Sequence, residues 1–327
     1  MKKLNIAIIG LGNIGSYLYK YLNDNQKILT EKNNCLPLIK YVSARNKKKR
    51  RSIKIKKGQW LNNYLDATIT RDVDLIVELI GGSEGPAKKL VFNALKNKKH
   101  VVTANKALIA KYGDQLSKIA EKNKVNLEFE ASVCGGVPII RSLKESLIAN
   151  KIFKIYGILN GTSNYILSSM DKQNKNFQEV LSLAKKLGYA ESNPSADLNG
   201  DDVSAKLKIL SSLCFNSFLS DNIYVEGIKE IDTTDIRNAN KLGYKIKLLG
   251  FAEILNNNIY QRVHPTLIKK DSYVASIDGV LNAVIIDGKP VGQSIIQGEG
   301  AGPAATTSAL ISDISSILRG NIKFPFS

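Results

Sequence analysis

A glycine-rich turn near the start of the chain constrains its fold more than any other feature. The run Leu4–Ile9 is apolar and β-branched, which is typical of a strand buried on both faces, and it leads directly into Gly10-Leu-Gly-Asn-Ile-Gly15. In such a motif Gly10 permits the tight turn, Gly12 lets a pyrophosphate approach the backbone, and Gly15 lets the following helix pack closely on the strand. The motif between strand and helix predicts a dinucleotide-binding unit.

Strand and helix patterns continue to alternate after this turn. Further strands are predicted at 38–43, 74–80 and 100–103, with a helix at 87–96. This alternation predicts a doubly wound parallel sheet of the Rossmann type, whose ligands bind at the carboxyl ends of the strands. Lys106 follows the strand at 100–103, so a functional role is favoured over that of an ordinary surface lysine.

The end of the second predicted strand bears on the choice of cofactor. An NAD site normally offers Asp or Glu to the adenosine ribose, but this strand ends in Ser43-Ala-Arg45-Asn-Lys47. A guanidinium such as that of Arg45 matches a 2′-phosphate, so NADP is favoured, with NAD as the alternative. The neighbouring run Lys48–Arg51 is also compatible with a solvated basic loop.

The pattern changes after Leu127. Strand-like runs at 152–159, 246–254, 259–263 and 273–284 are mixed with helices at 177–187 and 203–214, which predicts a second, α+β domain. A last helix, at about 305–319, is long enough to pack back on the first domain. We therefore expect a dinucleotide-binding domain at 1–130 plus 304–327, and a substrate-binding, catalytic and dimerisation domain at 131–303.

A short loop of the second domain concentrates carboxylates, although the chain has a formal net charge of +18. The acids are Glu191, Asp197, Asp201 and Asp202. Lys206 follows Asp202 by four residues, so on a helix the two side chains share one face. Such a cluster can hold a substrate amine and present a proton donor. A capped helix start with solvated acids is the alternative interpretation.

Composition narrows the class of protein. A chain of 327 residues that is 43% hydrophobic can bury the cores of two domains, and no apolar run is long enough to cross a bilayer, so no membrane partner is expected. Cys35, Cys134 and Cys214 are widely spaced and odd in number, which favours a reduced cytoplasm without structural disulfides. The lysines are scattered and no recognition motif accompanies them, so no nucleic-acid partner is expected.

Together these segments resemble the homoserine dehydrogenase family. The resemblance covers residues 6 to about 318 and includes the glycine turn, Thr103-Ala-Asn-Lys-Ala107, Glu130–Pro138, Asn160-Gly-Thr-Ser-Asn-Tyr165, Gly188-Tyr-Ala-Glu191, Asp197–Lys206 and Gly298–Gly302. It implies NADP- or NAD-dependent interconversion of L-aspartate 4-semialdehyde and L-homoserine, a step toward threonine and methionine, by a homodimer. Because residue 10 already begins the glycine turn and the chain ends soon after the last predicted helix, we expect the short form without an aspartate kinase or a regulatory ACT domain.

The resemblance also implies roles for individual residues. The catalytic pair would be Lys206 and Lys106, and the substrate would contact Glu191, Asp197, Asp202, Thr162 and Tyr189. The cofactor would contact Gly10, Gly12, Asn13, Ile14, Gly15, Arg45, Lys106, Gly188 and Gly302. A Na+ or K+ ion would be held by Glu130 and by the carbonyl groups of Val133, Gly135 and Val137.

The chemistry of the reaction agrees with these residues. Reducing an aldehyde needs hydride at carbon and a proton at the developing alkoxide, with positive charge nearby. Lys206 is expected to donate the proton, and Lys106 to position and polarise the oxygen. Two other classes stay open at this point: a dehydrogenase for another small amino-acid aldehyde, and a non-catalytic nucleotide-sensing or nucleic-acid-binding module, which would tolerate loss of both lysines.

Overall fold

A computed structural model describes residues 2–217, 223–321 and 325–326. The chain divides into two compact units, one formed by residues 1–136 with 302–327 and the other by residues 137–301. Within the described ranges, none of the helices combines the length and the apolar character that a membrane span requires.

The first unit is a doubly wound parallel sheet with helices, as the sequence predicts. Its strands are β1 (Lys2–Ile9), β2 (Cys35–Ser43), β3 (Leu75–Glu78), β4 (His100–Thr103) and β5 (Leu127–Glu128). Its helices are α1 (Asn13–Asp24), α2 (Gln26–Asn33), α3 (Asp66–Ile69), α4 (Pro86–Lys96), α5 (Lys106–Asn123) and the last helix of the chain, α12 (Pro303–Leu318). The strand order is β2-β1-β3-β4-β5, and all pairs are parallel.

The core of this unit explains why its central strands, β1 and β3, lack an alternating pattern. Ile6 and Ile8 of β1 and Val77 of β3 are fully buried, because helices cover both faces of the sheet. Leu310 and Ile314 of α12 belong to the same apolar cluster as β1. The first strand and the last helix of the chain therefore pack into the same core.

The second unit is built on a six-stranded mixed sheet. Its strands are β6 (Lys151–Ile158), β7 (Tyr224–Val225), β8 (Tyr244–Leu255), β9 (Asn258–Lys269), β10 (Leu281–Lys289) and β11 (Gly292–Glu299). Its helices are α6 (Ile139–Arg141), α7 (Gly161–Gln173), α8 (Phe177–Lys186), α9 (Ser195–Asn199), α10 (Asp201–Phe215) and α11 (Thr233–Lys241). The order is β11-β10-β6-β8-β9-β7, with only the β7–β9 pair parallel among the described residues.

One predicted strand of the second unit is wrong. The run 273–284 is not continuous: Tyr273–Ser276 forms a 3₁₀ turn capped by the Ser272 side chain, and β10 begins only at Leu281. Gly279, between them, has a φ of +68°, a left-handed conformation that interrupts any strand. Both segments carry apolar side chains, so the sequence pattern does not distinguish them from one continuous strand.

Candidate active site

The glycine turn has the geometry that the motif predicts. Gly10 has a φ of +110°, and a Cβ added there would lie 2.3 Å from the carbonyl oxygen of Leu79. A Cβ on Gly15 would lie 1.9 Å from the carbonyl oxygen of Gly10. Only open space surrounds the corresponding position of Gly12, at the N-terminus of α1. The turn therefore leaves room at Gly12 and the helix N-terminus, where a pyrophosphate binds.

A pocket of about 260 Å³ opens beside this turn. It is lined by residues 12–15 of the turn, by residues 78–81 after β3, and by Ala104 and Asn105 after β4. Asn13 and Ile14 are thus among its walls, as the resemblance implies. The pocket lies at the carboxyl edge of the sheet, beside the point where strand order reverses between β1 and β3, which is the usual dinucleotide position.

The basic segment after β2 is exposed, but one of its residues contacts the glycine turn. Arg51 donates hydrogen bonds to the carbonyl oxygens of Leu11 (3.1 Å), Asn46 (2.7 Å) and Lys49 (2.8 Å), and its guanidinium lies 5.4 Å from the ring centroid of Trp60. Arg51 therefore connects this segment to the glycine turn, a role that sequence reasoning missed.

Arg45 lies two residues beyond β2 and is exposed. Within the described part of the chain it makes no hydrogen bond or ion pair, so its guanidinium can meet a ligand without breaking an internal contact.

Two further predicted residues of the first unit lie at helix N-termini. Lys106 is the first residue of α5, after the capping residue Asn105, whose side chain accepts from the N–H of Leu108. Gly302 precedes Pro303 at the start of α12 and has a φ of +109°. Lys106 therefore follows the carboxyl end of β4 directly, as predicted.

In the second unit, Asn160 draws two of the predicted acids together. Its side-chain amide donates to Asp197 Oδ1 at 2.7 Å and to Asp202 Oδ2 at 2.8 Å, while its Oδ1 accepts from the N–H of Ser163 and so caps α7. Asn160 and Asp202 are buried. The sequence marked Asn160 only through the family resemblance, as the first residue of the segment 160–165, and offered nothing to pair it with acids far along the chain.

Lys206 completes this cluster. Its Nζ lies 2.8 Å from Asp202 Oδ2, as their spacing on α10 predicts, and donates to the carbonyl oxygen of Leu159 at 2.6 Å. Lys206 is only 9% exposed. The N-terminus of α10 has no side-chain cap, so Asp201 and Asp202 are not capping residues, and the alternative of a capped helix start is wrong.

The segment that carries Glu191 lies beside the start of α7. The Thr162 hydroxyl donates to the carbonyl oxygen of Tyr189 at 2.7 Å, and the rings of Tyr165 and Tyr189 are 4.9 Å apart. Gly188 has a φ of +78°, which favours glycine at this bend. Glu191 is exposed and outside the Asn160 cluster, so the structure joins Asp197, Asp202 and Lys206 but not Glu191.

The residues expected to hold a monovalent cation lie after β5. Glu130 is buried at the start of a 3₁₀ turn, and its N–H donates to Asp313 Oδ2 of α12. Val133 is buried, and the next two residues, Cys134 and Gly135, have φ values of +54° and +37°. Val137 begins the second unit. Among the residues that the structure describes, no group of three or more His, Cys, Asp or Glu side chains could hold a metal ion.

Both units match one enzyme family. A profile described as "Homoserine dehydrogenase, NAD binding domain" matches residues 10–130, and one described as "Homoserine dehydrogenase" matches residues 138–315. The chain belongs to the homoserine dehydrogenase family. Its activity is therefore that of an NAD(P)-dependent oxidoreductase that interconverts homoserine and its aldehyde.

Individual relatives agree with this membership. The homoserine dehydrogenase of Neisseria gonorrhoeae is 42% identical over 98% of this chain and 73% of its own length, and that of Bacillus subtilis is 37% identical over 98% and 74%. The crystal structure of a homoserine dehydrogenase from Thiobacillus denitrificans superposes with a TM-score of 0.94 at 39% identity, covering 100% of this chain and 78% of that one. A hyperthermophilic archaeal homoserine dehydrogenase mutant in complex with NADPH superposes with a TM-score of 0.81 at 26% identity, covering 96% and 97%.

Proposed function

We propose that this chain uses NADP in preference to NAD to interconvert L-homoserine and L-aspartate 4-semialdehyde, with Lys206 as the proton donor to the aldehyde oxygen. The observation that carries the assignment of Lys206 is its buried ammonium, held between Asp202 and the carbonyl of Leu159. These two acceptors fix the ammonium at one place. A general acid requires such a fixed position.

The residues divide the chemistry between them. The nicotinamide cofactor supplies or accepts the hydride at the carbon that bears the oxygen. In the direction of reduction, Lys206 gives a proton to the oxygen, and in the direction of oxidation it takes that proton back. We assign to Lys106 the positive charge that polarises the same oxygen. The acids Asp197, Asp202 and Glu191 hold the substrate amine.

A direct assay tests the proposed function. Oxidation of L-homoserine is followed by the absorbance of the reduced cofactor, with NADP and NAD in parallel. We expect turnover with homoserine, and a lower KM for NADP than for NAD. Lack of turnover with either cofactor, by a protein that is folded by circular dichroism, would contradict the proposal.

The substrate amine gives a second prediction. Asp202→Asn should slow turnover of every substrate, because Asp202 also holds Lys206. Glu191→Gln and Asp197→Asn should instead each reduce kcat/KM for homoserine by about 10-fold or more, because a carboxylate that pairs with an ammonium contributes about 1.5–3 kcal/mol. The loss should be much smaller for 4-hydroxybutyrate, which lacks the amine.

Asp201 provides the matched control for these variants. It is exposed on the first turn of α10, beside Asp202 but outside the Asn160 cluster. Asp201→Asn should therefore leave kcat/KM unchanged for both homoserine and 4-hydroxybutyrate. Equal losses on both substrates would assign Glu191 and Asp197 to folding instead of to the amine.

Cofactor preference gives a third prediction. Arg45→Ala should weaken NADP binding by about 10-fold and leave NAD binding nearly unchanged, because a charge-assisted contact to a phosphate is worth about 1.5–3 kcal/mol and only NADP carries the 2′-phosphate. Binding should be measured by calorimetry instead of inferred from rates, because tight cofactor binding can slow product release.

Arg71 serves as the control for Arg45. It is exposed in the turn before β3, at the opposite edge of the same parallel sheet, so Arg71→Ala makes the same change in charge away from the pocket. If Arg45→Ala and Arg71→Ala bind NADP with the same affinity, Arg45 does not contact the 2′-phosphate. The NADPH complex of the archaeal neighbour supports the expected result.

Two further proposals come from the family resemblance. The oxygen donors of Glu130, Val133, Gly135 and Val137 have the chemistry that hard cations require, and Glu130 is buried, which supports a Na+ or K+ site. No step of the reaction is assigned to that ion. We also propose a cytoplasmic location and a homodimer, and the homodimer is supported by the partly exposed aromatic side chains of Tyr156, Phe251 and Tyr260 on neighbouring strands of the six-stranded sheet.

A further inference from the structure

Glu78 is a buried carboxylate that the reaction scheme does not use. It ends β3, is 0% exposed, and belongs to the wall of the cofactor pocket. Its Oε1 accepts from the N–H groups of Ile80 (2.7 Å) and Gly81 (3.0 Å), and its Oε2 accepts from the hydroxyl of Thr103 (2.5 Å). Three donors from two segments of the chain thus converge on one carboxylate.

These bonds form part of a closed ring. The Thr103 hydroxyl oxygen accepts from the N–H of Asn105 at 3.0 Å. The side-chain amide of Asn105 donates to the carbonyl oxygen of Gly82 at 2.8 Å, and its Oδ1 caps α5 at Leu108. The ring therefore joins the carboxyl ends of β3 and β4, the loop at 80–82, and the first turn of α5.

The loop at 80–82 needs such a restraint. Gly81 and Gly82 have φ values of +85° and +80°, and nothing lies within 4 Å of the position of a Cβ on either residue. Glycine in such open space has many accessible conformations, and the two N–H bonds to Glu78 select one of them. Charge-assisted hydrogen bonds from backbone N–H groups are stronger than neutral ones.

The same ring fixes the residue that precedes Lys106. Asn105 is held by Thr103, by Gly82 and by the first turn of α5, so the backbone that carries Lys106 has one position. We infer that Glu78 is a positioning residue, which acts on the reaction by holding this ring and hence Lys106 at the cofactor pocket. The inference rests on the proposed role of Lys106.

The test uses two variants that break the ring at different atoms. Glu78→Gln keeps the shape and an oxygen for the two N–H groups, but its amide nitrogen can only donate, so the proton of the Thr103 hydroxyl loses its charged acceptor. Thr103→Val removes that hydroxyl and leaves the carboxylate. Each should lower kcat for homoserine oxidation by about 10-fold, since a displacement of about 1 Å costs up to about 10²-fold.

A double-mutant cycle with Lys106→Ala separates positioning from general stability. In the Lys106→Ala background, Glu78→Gln and Thr103→Val should change kcat by less than about 2-fold, because groups that act through one another are not additive. Glu121→Gln, on an exposed position near the far end of α5, is the control and should have no effect in either background.

The outcomes distinguish the inference from the proposed function. If Lys106→Ala alone stays within a few-fold of the unchanged protein, the proposed role of Lys106 fails, and with it the inference. If Lys106→Ala has a low kcat, and adding Glu78→Gln or Thr103→Val lowers that kcat by about a further 10-fold, only the inference is overturned. Should Glu78→Gln fail to fold, the double-mutant cycle of Thr103→Val with Lys106→Ala tests the inference by itself.

Discussion

Replacing Lys206 by alanine should lower kcat for homoserine oxidation by about 10²-fold or more, the range typical of a lost general acid. The Kd of NADP should change by less than about 3-fold, because the glycine turn and Arg45 lie in the other unit. Stopped-flow or steady-state absorbance gives kcat, and calorimetry gives Kd. Turnover within a few-fold of the unchanged protein would show that Lys206 is not the proton donor.

The structure provides a control for this experiment on the same helix. Lys208 lies two residues further along α10, where side chains two positions apart do not face each other. Lys208→Ala removes the same charge from the same helix and should keep kcat within about 2-fold. Because Lys206 also bonds Asp202 and Leu159, the free energy of unfolding must be measured for both variants. An equal loss of kcat in both would indicate damage to α10 and not loss of the donor.

The parallel sheet and the glycine turn of the first unit could be predicted from the sequence because their signals are local, whereas α2, α3 and α5 were not predicted. The central strands β1 and β3 contain continuous apolar runs, since both faces of the sheet are covered there, and Gly10, Gly12 and Gly15 lie within six residues of one another. The pairing of Asp202 with Lys206 was predicted for the same reason, because it needs only the spacing along one helix.

Two of the longer helices of the second unit, α7 and α11, escaped prediction because their buried faces are not apolar enough. In α7 the buried residues include Ser163, Asn164, Ser168 and Ser169, so the pattern of apolar side chains is broken. In α11 only Ile236 and Ala239 are buried. Periodicity detects a helix by its apolar face, and the buried face of α7 instead binds polar partners.

The polar networks could not be predicted because their partners are far apart in sequence. Asn160 reaches Asp197 and Asp202 across 37 and 42 positions, and Glu78 reaches Thr103 across 25. No spacing rule links such residues before the fold brings them together. These networks are nevertheless the contacts on which the candidate site depends.

Lys247 is another residue whose partners only the fold reveals. It lies in β8 and is 1% exposed, and its ammonium donates to Asn164 Oδ1 (3.0 Å), to Asp278 Oδ1 (2.8 Å) and to the carbonyl oxygen of Ile277 (2.6 Å). Asn164 is one turn from Asn160 on α7. The ion pair of Lys247 and Asp278, together with the bond to Asn164, therefore holds α7 against the sheet. This is the helix that Asn160 caps.

Asp278→Asn should reduce the free energy of unfolding by about 3–5 kcal/mol, because removing one partner leaves a buried charge uncompensated. Urea unfolding followed by circular dichroism measures this loss; the single tryptophan, Trp60, lies in the other unit and would not report it reliably. Lys247→Met combined with Asp278→Asn should recover most of the loss, since no charge is then buried. Asp114→Asn, in the exposed Lys118–Asp114 pair, is the control and should cost less than about 0.5 kcal/mol.

The pH dependence of the unfolding free energy tests whether charge causes the loss of stability in Asp278→Asn. Burial alone would raise the pKa of Asp278, but the hydrogen bonds from Lys247 and Lys172 and the charges of Lys247 and Lys245 outweigh it and hold that pKa at about 2. The pair therefore stabilises the fold fully above the ordinary carboxyl pKa of 3.8, and this contribution is lost as the pH falls toward 2. Burial lowers the pKa of Lys247, against the opposing effect of Asp278, so in Asp278→Asn it should fall further and the ammonium should lose its proton as the pH rises. The deficit of Asp278→Asn should thus be fully present above about pH 4, and it should shrink as the pH falls toward 2 and as the pH rises through the lowered pKa of Lys247. A deficit that is constant from pH 3 to pH 10 would instead assign the loss to packing around the side chain.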